Sequence, residues 1–314
     1  MAKLGKGGLA LAAALLAGSA AAMAAGPDVG TVGITVGSLG NPYFVATDKG
    51  ISAAAKEVTP NARLTFVSSD YDLNKQFTQM DNFVASGAKI IMINAVDPVA
   101  IQPAIKRAQA AGAVVAAFDV AAKGADLTVM TDNVKAGALA CQYIVDHLPG
   151  QKGDVIIVNG PQVSSIRERV QGCKQVLGQH PGIKLLSSDQ NGQASRDGGL
   201  ALGQSLMTHY PHIDAIFTIN DPTAIGINLA AKQLNRHEFI ITSVDGAPDI
   251  VAELKDKTSL VRASAAQDPS GMAGQAYKLA VDAVGGKKPA EAITLLAPKL
   301  VTTENVGDYK GWGG

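Results

Sequence analysis

Short apolar runs, most of them ending in a polar residue, alternate with longer stretches of helical apolar spacing along almost the whole chain. A run such as Lys89 to Asn94, KIIMIN, is too short for a helix and too uniformly apolar for a strand with one wet face. It reads as a strand covered on both sides, and such strands belong to parallel sheets whose crossovers are helices. The pattern places the chain in the α/β class.

In the first half, strands are expected at Thr31 to Val36, Arg63 to Ser68, Lys89 to Asn94, Ala113 to Asp119 and Leu127 to Thr131. Helical spacing lies between them at Phe44 to Lys56, Lys75 to Ser86 and Val99 to Ala111, with Gly87 and Gly112 as stops. The second half repeats the grammar, with strands at Asp154 to Asn159, Lys184 to Ser188, Ile213 to Asn220, Phe239 to Asp245 and Leu260 to Gln267. Its helices are expected at Lys135 to His147, Ser164 to Gly178, Gly198 to Tyr210, Pro222 to Leu234, Pro248 to Lys257 and Pro269 to Gly285. A last extended piece runs from Ile293 to Val301. The length of 314 residues suits two domains.

The N-terminus stands apart from this pattern. Lys3 and Lys6 precede an apolar run from Leu9 to Ala22, and Ala22-Met23-Ala24 has the small-residue form of a signal-peptidase site. We read residues 1–25 as a secretory signal, cleaved near Ala24 or Ala25. No cysteine lies there to accept a lipid, so the mature protein is expected to be soluble.

Basic and acidic residues number 27 each, so there is no charge-based case for nucleic acid or an acidic membrane as partner. The histidines, His147, His180, His209, His212 and His237, show no ligand spacing, and no metal is expected. Cys141 and Cys173 fall on adjacent predicted helices. In an oxidising compartment they form a disulfide if those helices lie side by side, and otherwise two buried thiols. Aromatics are only 4% of residues, which gives weight to any aromatic near a strand end. Trp312, in a Gly-rich tail, is expected to be peripheral.

The polar residues gather at strand ends. The first strand runs into Ser38, Asn41, Pro42, Tyr43 and Phe44, where Asn41 either caps a helix or faces a ligand. Asn94 and Asp119 close two further strands of the first half. In the second half Asn220, Asp221, Asp245 and Gln267 stand in the same position.

Taken in order, NPYF at Asn41 to Phe44, IMINAVD at Ile91 to Asp97, AAFD at Ala116 to Asp119, TDN at Thr131 to Asn133 and RERVQG at Arg167 to Gly172 form a series. IND at Ile219 to Asp221, SVDG at Ser243 to Gly246 and AAQDP at Ala265 to Pro269 continue it. The chain resembles the periplasmic sugar-binding proteins of the ribose-binding type, the solute-binding components of ABC importers. The resemblance implies two doubly wound parallel-sheet lobes joined by a three-segment hinge, the type I periplasmic binding protein fold. It divides the mature chain into a first lobe of residues 26–131 and 268–297 and a second of 132–267 and 298–314. The hinge then crosses near Thr131 and Asp132, near Gln267 and Asp268, and near Ala297.

Carried over position by position, the implied ligand contacts are Asn41, Tyr43, Phe44, Asn94 and Asp119 from the first lobe. Arg169, Asn220 and Asp245 come from the second, with Gln267 at a hinge. Asp accepts, Arg donates in a planar fork, and Asn or Gln do both, while the rings cover the C–H face of a sugar. For Arg169 the alternative is a surface pair with Glu168 or another acid. The implied setting is the periplasm. The implied partners are a sugar or polyol, an inner-membrane ABC permease and a chemoreceptor; the protein acts as a monomer without cofactor.

Two departures bear on the ligand. The ribose-binding pattern has Arg after the aspartate of the fourth strand, where this chain has Val120, and an aromatic where it has Ala194. One polar grip and part of the ring sandwich are gone, which argues against ribose itself. A roomier site, or a polyol, a deoxysugar or another small hydroxylated molecule, fits the change.

Other function classes fit less well. Gly37-x-x-Gly40 falls short of a dinucleotide fingerprint, and Pro42 with two rings crowds the place of a pyrophosphate. A sugar-responsive transcription regulator needs a DNA-reading headpiece where this chain has a signal sequence. No nucleophile, base and orienting group come together at a strand end.

Overall fold

The computed structural model describes residues 1–2 and 27–312. The expected signal segment and its cleavage point at Ala24 or Ala25 lie outside the described residues, apart from the first two positions. From the N-terminal side come β1 (Thr31–Val36), α1 (Pro42–Val58), β2 (Arg63–Ser68), α2 (Leu73–Ala85), β3 (Ile90–Ile93), α3 (Gln102–Ala110), β4 (Val114–Phe118) and β5 (Leu127–Thr131). There follow α4 (Asn133–His147), β6 (Gly153–Asn159), α5 (Ser164–Leu177), β7 (Ile183–Asn191), α6 (Arg196–His209), β8 (Ala215–Thr218), α7 (Asp221–Gln233), β9 (Ile240–Asp245), α8 (Pro248–Lys255) and β10 (Val261–Ala266). The chain closes with α9 (Pro269–Val284), β11 (Ile293–Leu296) and β12 (Lys299–Thr302).

Two six-stranded sheets result, in the orders β11-β5-β4-β3-β1-β2 and β12-β10-β9-β8-β6-β7. All the described pairings are parallel except β10 with β12. Successive strand residues feed opposite cores, as a period of two requires. In the first sheet Ile90, Met92, Ala116 and Phe118 pack with α1 and α9, while Ile91, Ile93, Val115 and Ala117 pack with α2 and α3. In the second, Val155 and Ile157 face α4 and α5, whereas Ile156 and Val158 face α6, α7 and α8. This two-sided burial is why the runs are apolar without alternation. Among the described residues no helix is long and apolar enough to cross a membrane.

The chain passes between the sheets after β5, after β10 and between β11 and β12. At the first two passages an aspartate caps the helix beyond: Asp132 accepts from Lys135 N at 2.9 Å and Asp268 from Gly271 N at 2.8 Å. The extended piece expected over Ile293 to Val301, within which the resemblance puts a crossing near Ala297, is two strands in different sheets, broken at Ala297 and Pro298. The third helix starts at Gln102 rather than Val99, because Asp97 Oδ1 accepts from both Val99 N and Ala100 N at 2.8 Å and holds a turn there.

Glycines let paired helices touch backbone to backbone. A Cβ at Gly172 would overlap the carbonyl oxygen of Val134 on α4, and one at Gly137 would overlap that of Arg169 on α5. The same device joins α1 to α9, where Gly50 meets Ser270. Next to the α4–α5 crossing, Cys141 and Cys173 are bridged, with Cα atoms 5.1 Å apart. The bridge spans a sequence separation of 32, and closing such a loop stabilises a fold by about 3 to 4 kcal/mol. A Cys141→Ala/Cys173→Ala variant should therefore unfold at clearly lower urea than the parent and lose the parent's response to reductant. An unchanged midpoint would remove the bridge from the stabilising interactions.

Candidate functional site

The residues that follow β1, β3 and β4 in one lobe meet those that follow β6, β8 and β9 in the other. Between them lies a cavity of about 40 Å³, room for roughly three waters. The lobes already touch beside it, where Ala121 N of the first donates to Ser164 Oγ of the second at 3.0 Å.

On the first-lobe wall Asn41 is both cap and cavity residue. Its Oδ1 accepts from Tyr43 N at 3.0 Å, while Nδ2 has no protein partner among the described residues. Pro42 fills the first helical position, which needs no N–H. Tyr43 and Phe44 are buried, their rings edge to face at 5.6 Å. Tyr43 does more than cover: its hydroxyl donates to Asp119 Oδ1 at 2.8 Å, and Asn94 Nδ2 donates to Asp119 Oδ2 at 2.7 Å. Asp119 sits at φ 63°, a strained value for a strand end that these bonds hold in place. Burial pushes its carboxyl up, and Arg169, Tyr43 and Asn94 pull partly back.

The second-lobe wall is built around Arg169. It is buried and pairs with Asp245, not with Glu168 at the surface. Nε donates to Asn133 Oδ1 at 2.9 Å, and Nη1 to Ile219 O at 2.8 Å and Asp245 Oδ1 at 3.3 Å. Nη2 keeps its donors free of protein partners among the described residues. Gln267 Nε2 also donates to Asp245 Oδ1, at 2.7 Å, leaving Asp245 Oδ2 unclaimed on the cavity wall. Burial raises the Asp245 carboxyl; Arg169 opposes this and the neighbouring Asp221 adds to it. Asp221 is likewise raised by burial, and it accepts from Ser243 Oγ, from Ser264 Oγ at 2.7 Å and from Ala247 N at 2.7 Å. These bonds fix the turn that follows Asp245.

Eight of the residues named from sequence thus line one cavity, namely Asn41, Tyr43, Phe44, Asn94, Asp119, Arg169, Asn220 and Asp245. Gln267 stands behind Asp245, off the wall, with its Oε1 buried and unpaired. Asn220 is largely occupied: Nδ2 donates to Ala194 O at 3.0 Å and Oδ1 accepts from Thr223 N at 3.2 Å.

Sequence reasoning missed two polar residues of the wall and misplaced a third residue beside it. Tyr71, in the loop after β2, and Ser165, in the first turn of α5, both line the cavity. Tyr71 had a usable signal, since it is a strand-end aromatic in an aromatic-poor chain. Trp312 is not peripheral. The tail folds back so that its Nε1 donates to Asp245 O at 2.8 Å, and its ring meets Tyr43 edge-on at 5.6 Å. Tyr309 pins the same tail by donating to Gly246 O at 2.8 Å. Outside the cavity a cleft of about 520 Å³ opens, lined partly by Pro42, Pro222, Pro248 and Trp312. Tyr71 and Ala194 border both spaces.

Comparison with known proteins agrees with this architecture. The family described as periplasmic binding protein domain matches residues 32–288. The ribose import binding protein of Bacillus subtilis is 31% identical over 277 residues, which is 87% of each chain. A xylitol-binding protein of Mycolicibacterium smegmatis is 29% identical over 229 residues, 72% of this chain and 64% of that one. Among solved structures, an ABC transporter solute-binding protein of Bacillus halodurans, with bound myo-inositol, superposes with a TM-score of 0.83 at 22% identity, covering 90% of this chain and 98% of that one. With two α/β lobes meeting over a polar cavity and a family match along most of its length, this chain belongs to the periplasmic binding protein family.

Proposed function

We propose that this protein captures a small sugar or polyol between its lobes and presents the closed form to an ABC permease of the inner membrane. The observation that carries the reading is the unclaimed hydrogen-bonding set on the cavity wall. Arg169 Nη2 and Asn41 Nδ2 donate and Asp245 Oδ2 accepts, from opposite lobes. A hydroxyl is donor and acceptor at once, so neighbouring hydroxyls on one small molecule satisfy such a set. Asp119 adds its remaining lone pairs, and Tyr43 with Phe44 gives an apolar face. The relatives that import ribose or bind xylitol support the ligand class.

The reading assigns the protein no chemical step. A ligand shifts open lobes to closed ones only through its differential affinity for the two states, so contacts from both lobes are part of the mechanism. Lys3, Lys6 and the run from Leu9 to Ala22 support export to the periplasm with removal of residues 1–25.

The test is a thermal-shift screen of the mature protein, stripped of carried-over ligand, against pentoses, hexoses, deoxysugars, polyols and inositols. A ligand at a hundred times its Kd adds about 2.7 kcal/mol, which raises Tm by a few degrees. A rise confined to such compounds is the expected result. A flat panel, with no hydroxylated molecule found by mass spectrometry of the freshly purified protein, would overturn the reading.

A further inference from the structure

Most polar side chains on the cavity wall are committed to protein partners. The hydroxyls of Tyr71, from the first lobe, and Ser165, from the second, are not: neither has a hydrogen-bond partner among the described residues, although Ser165 is only 4% exposed.

Tyr71 is fixed by its backbone and its ring rather than by its hydroxyl. It lies in the left-handed region at φ 57°, where a bulky residue stays only if its surroundings hold it. Its N–H donates to Gly37 O at 3.1 Å. The ring lies against Gly37, where a Cβ would stand 2.6 Å from Tyr71 Cε1. It thereby borders the cavity at the side where Ala194 of the other lobe offers only a methyl group. Burial and the charges of Asp119 and Asp245 raise its hydroxyl well above the usual tyrosine range, so it remains a neutral donor.

From this geometry we infer that Tyr71 and Ser165 are specificity-determining residues, whose hydroxyls read ligand hydroxyls from opposite lobes while the Tyr71 ring walls the side that Ala194 leaves open. The inference rests on the sugar or polyol reading above. It also explains why loss of bulk at Val120 and Ala194 leaves a cavity of about 40 Å³ rather than a roomy one.

The test is isothermal titration of the mature protein, Tyr71→Phe and Ser165→Ala with D-ribose, xylitol and D-allose, each beside its monodeoxy analogues. Ligand-free melting temperatures first establish that the variants keep the fold. Each variant should lose about tenfold in affinity for the parent compound and far less for the one analogue that lacks the hydroxyl it meets, with different positions for the two variants. Wild-type affinity in both variants, or an equal loss across all analogues, would overturn the assignment while leaving the ligand class intact. Where the wild type binds none of the three, the compound of the thermal-shift panel that raises Tm most takes their place; a wild type that binds no member of that panel would overturn the assignment together with the reading it rests on.

Discussion

Arg169→Met is expected to abolish measurable ligand binding and to destabilise the protein by about 3 to 5 kcal/mol near neutral pH. Its guanidinium ties α5 to Asn133 on α4, to the carbonyl of Ile219 beyond β8, and to Asp245. Methionine keeps the aliphatic length but leaves Asp245 and Asp119 buried without their nearest cation. Both carboxyls are already raised by burial with Arg169 holding them down, so its loss raises them further. A folded-state pKa above the unfolded value means stability is complete below about pH 4 and is lost as pH rises through the folded value. The penalty of Arg169→Met should therefore be small near pH 4 to 5 and largest near pH 8. Urea unfolding of parent and variant at both ends of that range measures it, and a penalty that shrinks towards pH 8 would contradict the electrostatic account.

The second large effect comes from a residue with no polar chemistry. At Gly172 an added methyl meets the backbone of α4, and a backbone carbonyl cannot swing aside as a side chain does. The helices must separate, against their bridge at Cys141 and Cys173. Gly172→Ala should cost about 3 kcal/mol or more, while Gly307→Ala, which meets nothing within 4 Å, should stay within about 0.5 kcal/mol. Because Arg169 lies one turn before Gly172, weaker ligand binding should accompany the loss. Equal urea midpoints for the two variants would show that the crossing tolerates a methyl group.

The framework of this fold is legible in the sequence because both its signals are local. β1, β2 and β5 occupy the limits expected from apolar, β-branched runs between breakers. Helix starts shift by a turn or less where a cap decides, as at Asn41, or where a preceding turn does, as at Asp97. The break at Ala297 and Pro298 is not legible from the local pattern, since whether an extended piece serves one sheet or two depends on partners far away in sequence; only the family resemblance puts a crossing near Ala297. The candidate site shows the same division. Strand-end Asn and Asp residues are visible as a set, but which of their atoms remain free is settled by pairing. Asn220 spends its amide on Ala194 and Thr223, and Gln267 supports Asp245 from behind. Trp312 reads as peripheral from sequence because its place at Asp245 depends on a tail folding back across the lobes.

That a single small ligand is gripped from both lobes is tested most directly by isothermal titration of Asp119→Ala and Asp245→Ala beside the parent, with the compound that gives the largest thermal shift. Each carboxylate lies on its own lobe, and removing either leaves ligand hydroxyls buried and unpaired. Binding should weaken by about 2 to 5 kcal/mol in each variant, at least a thirtyfold rise in Kd. Parental affinity in either one would mean that its lobe does not hold the ligand through this cavity.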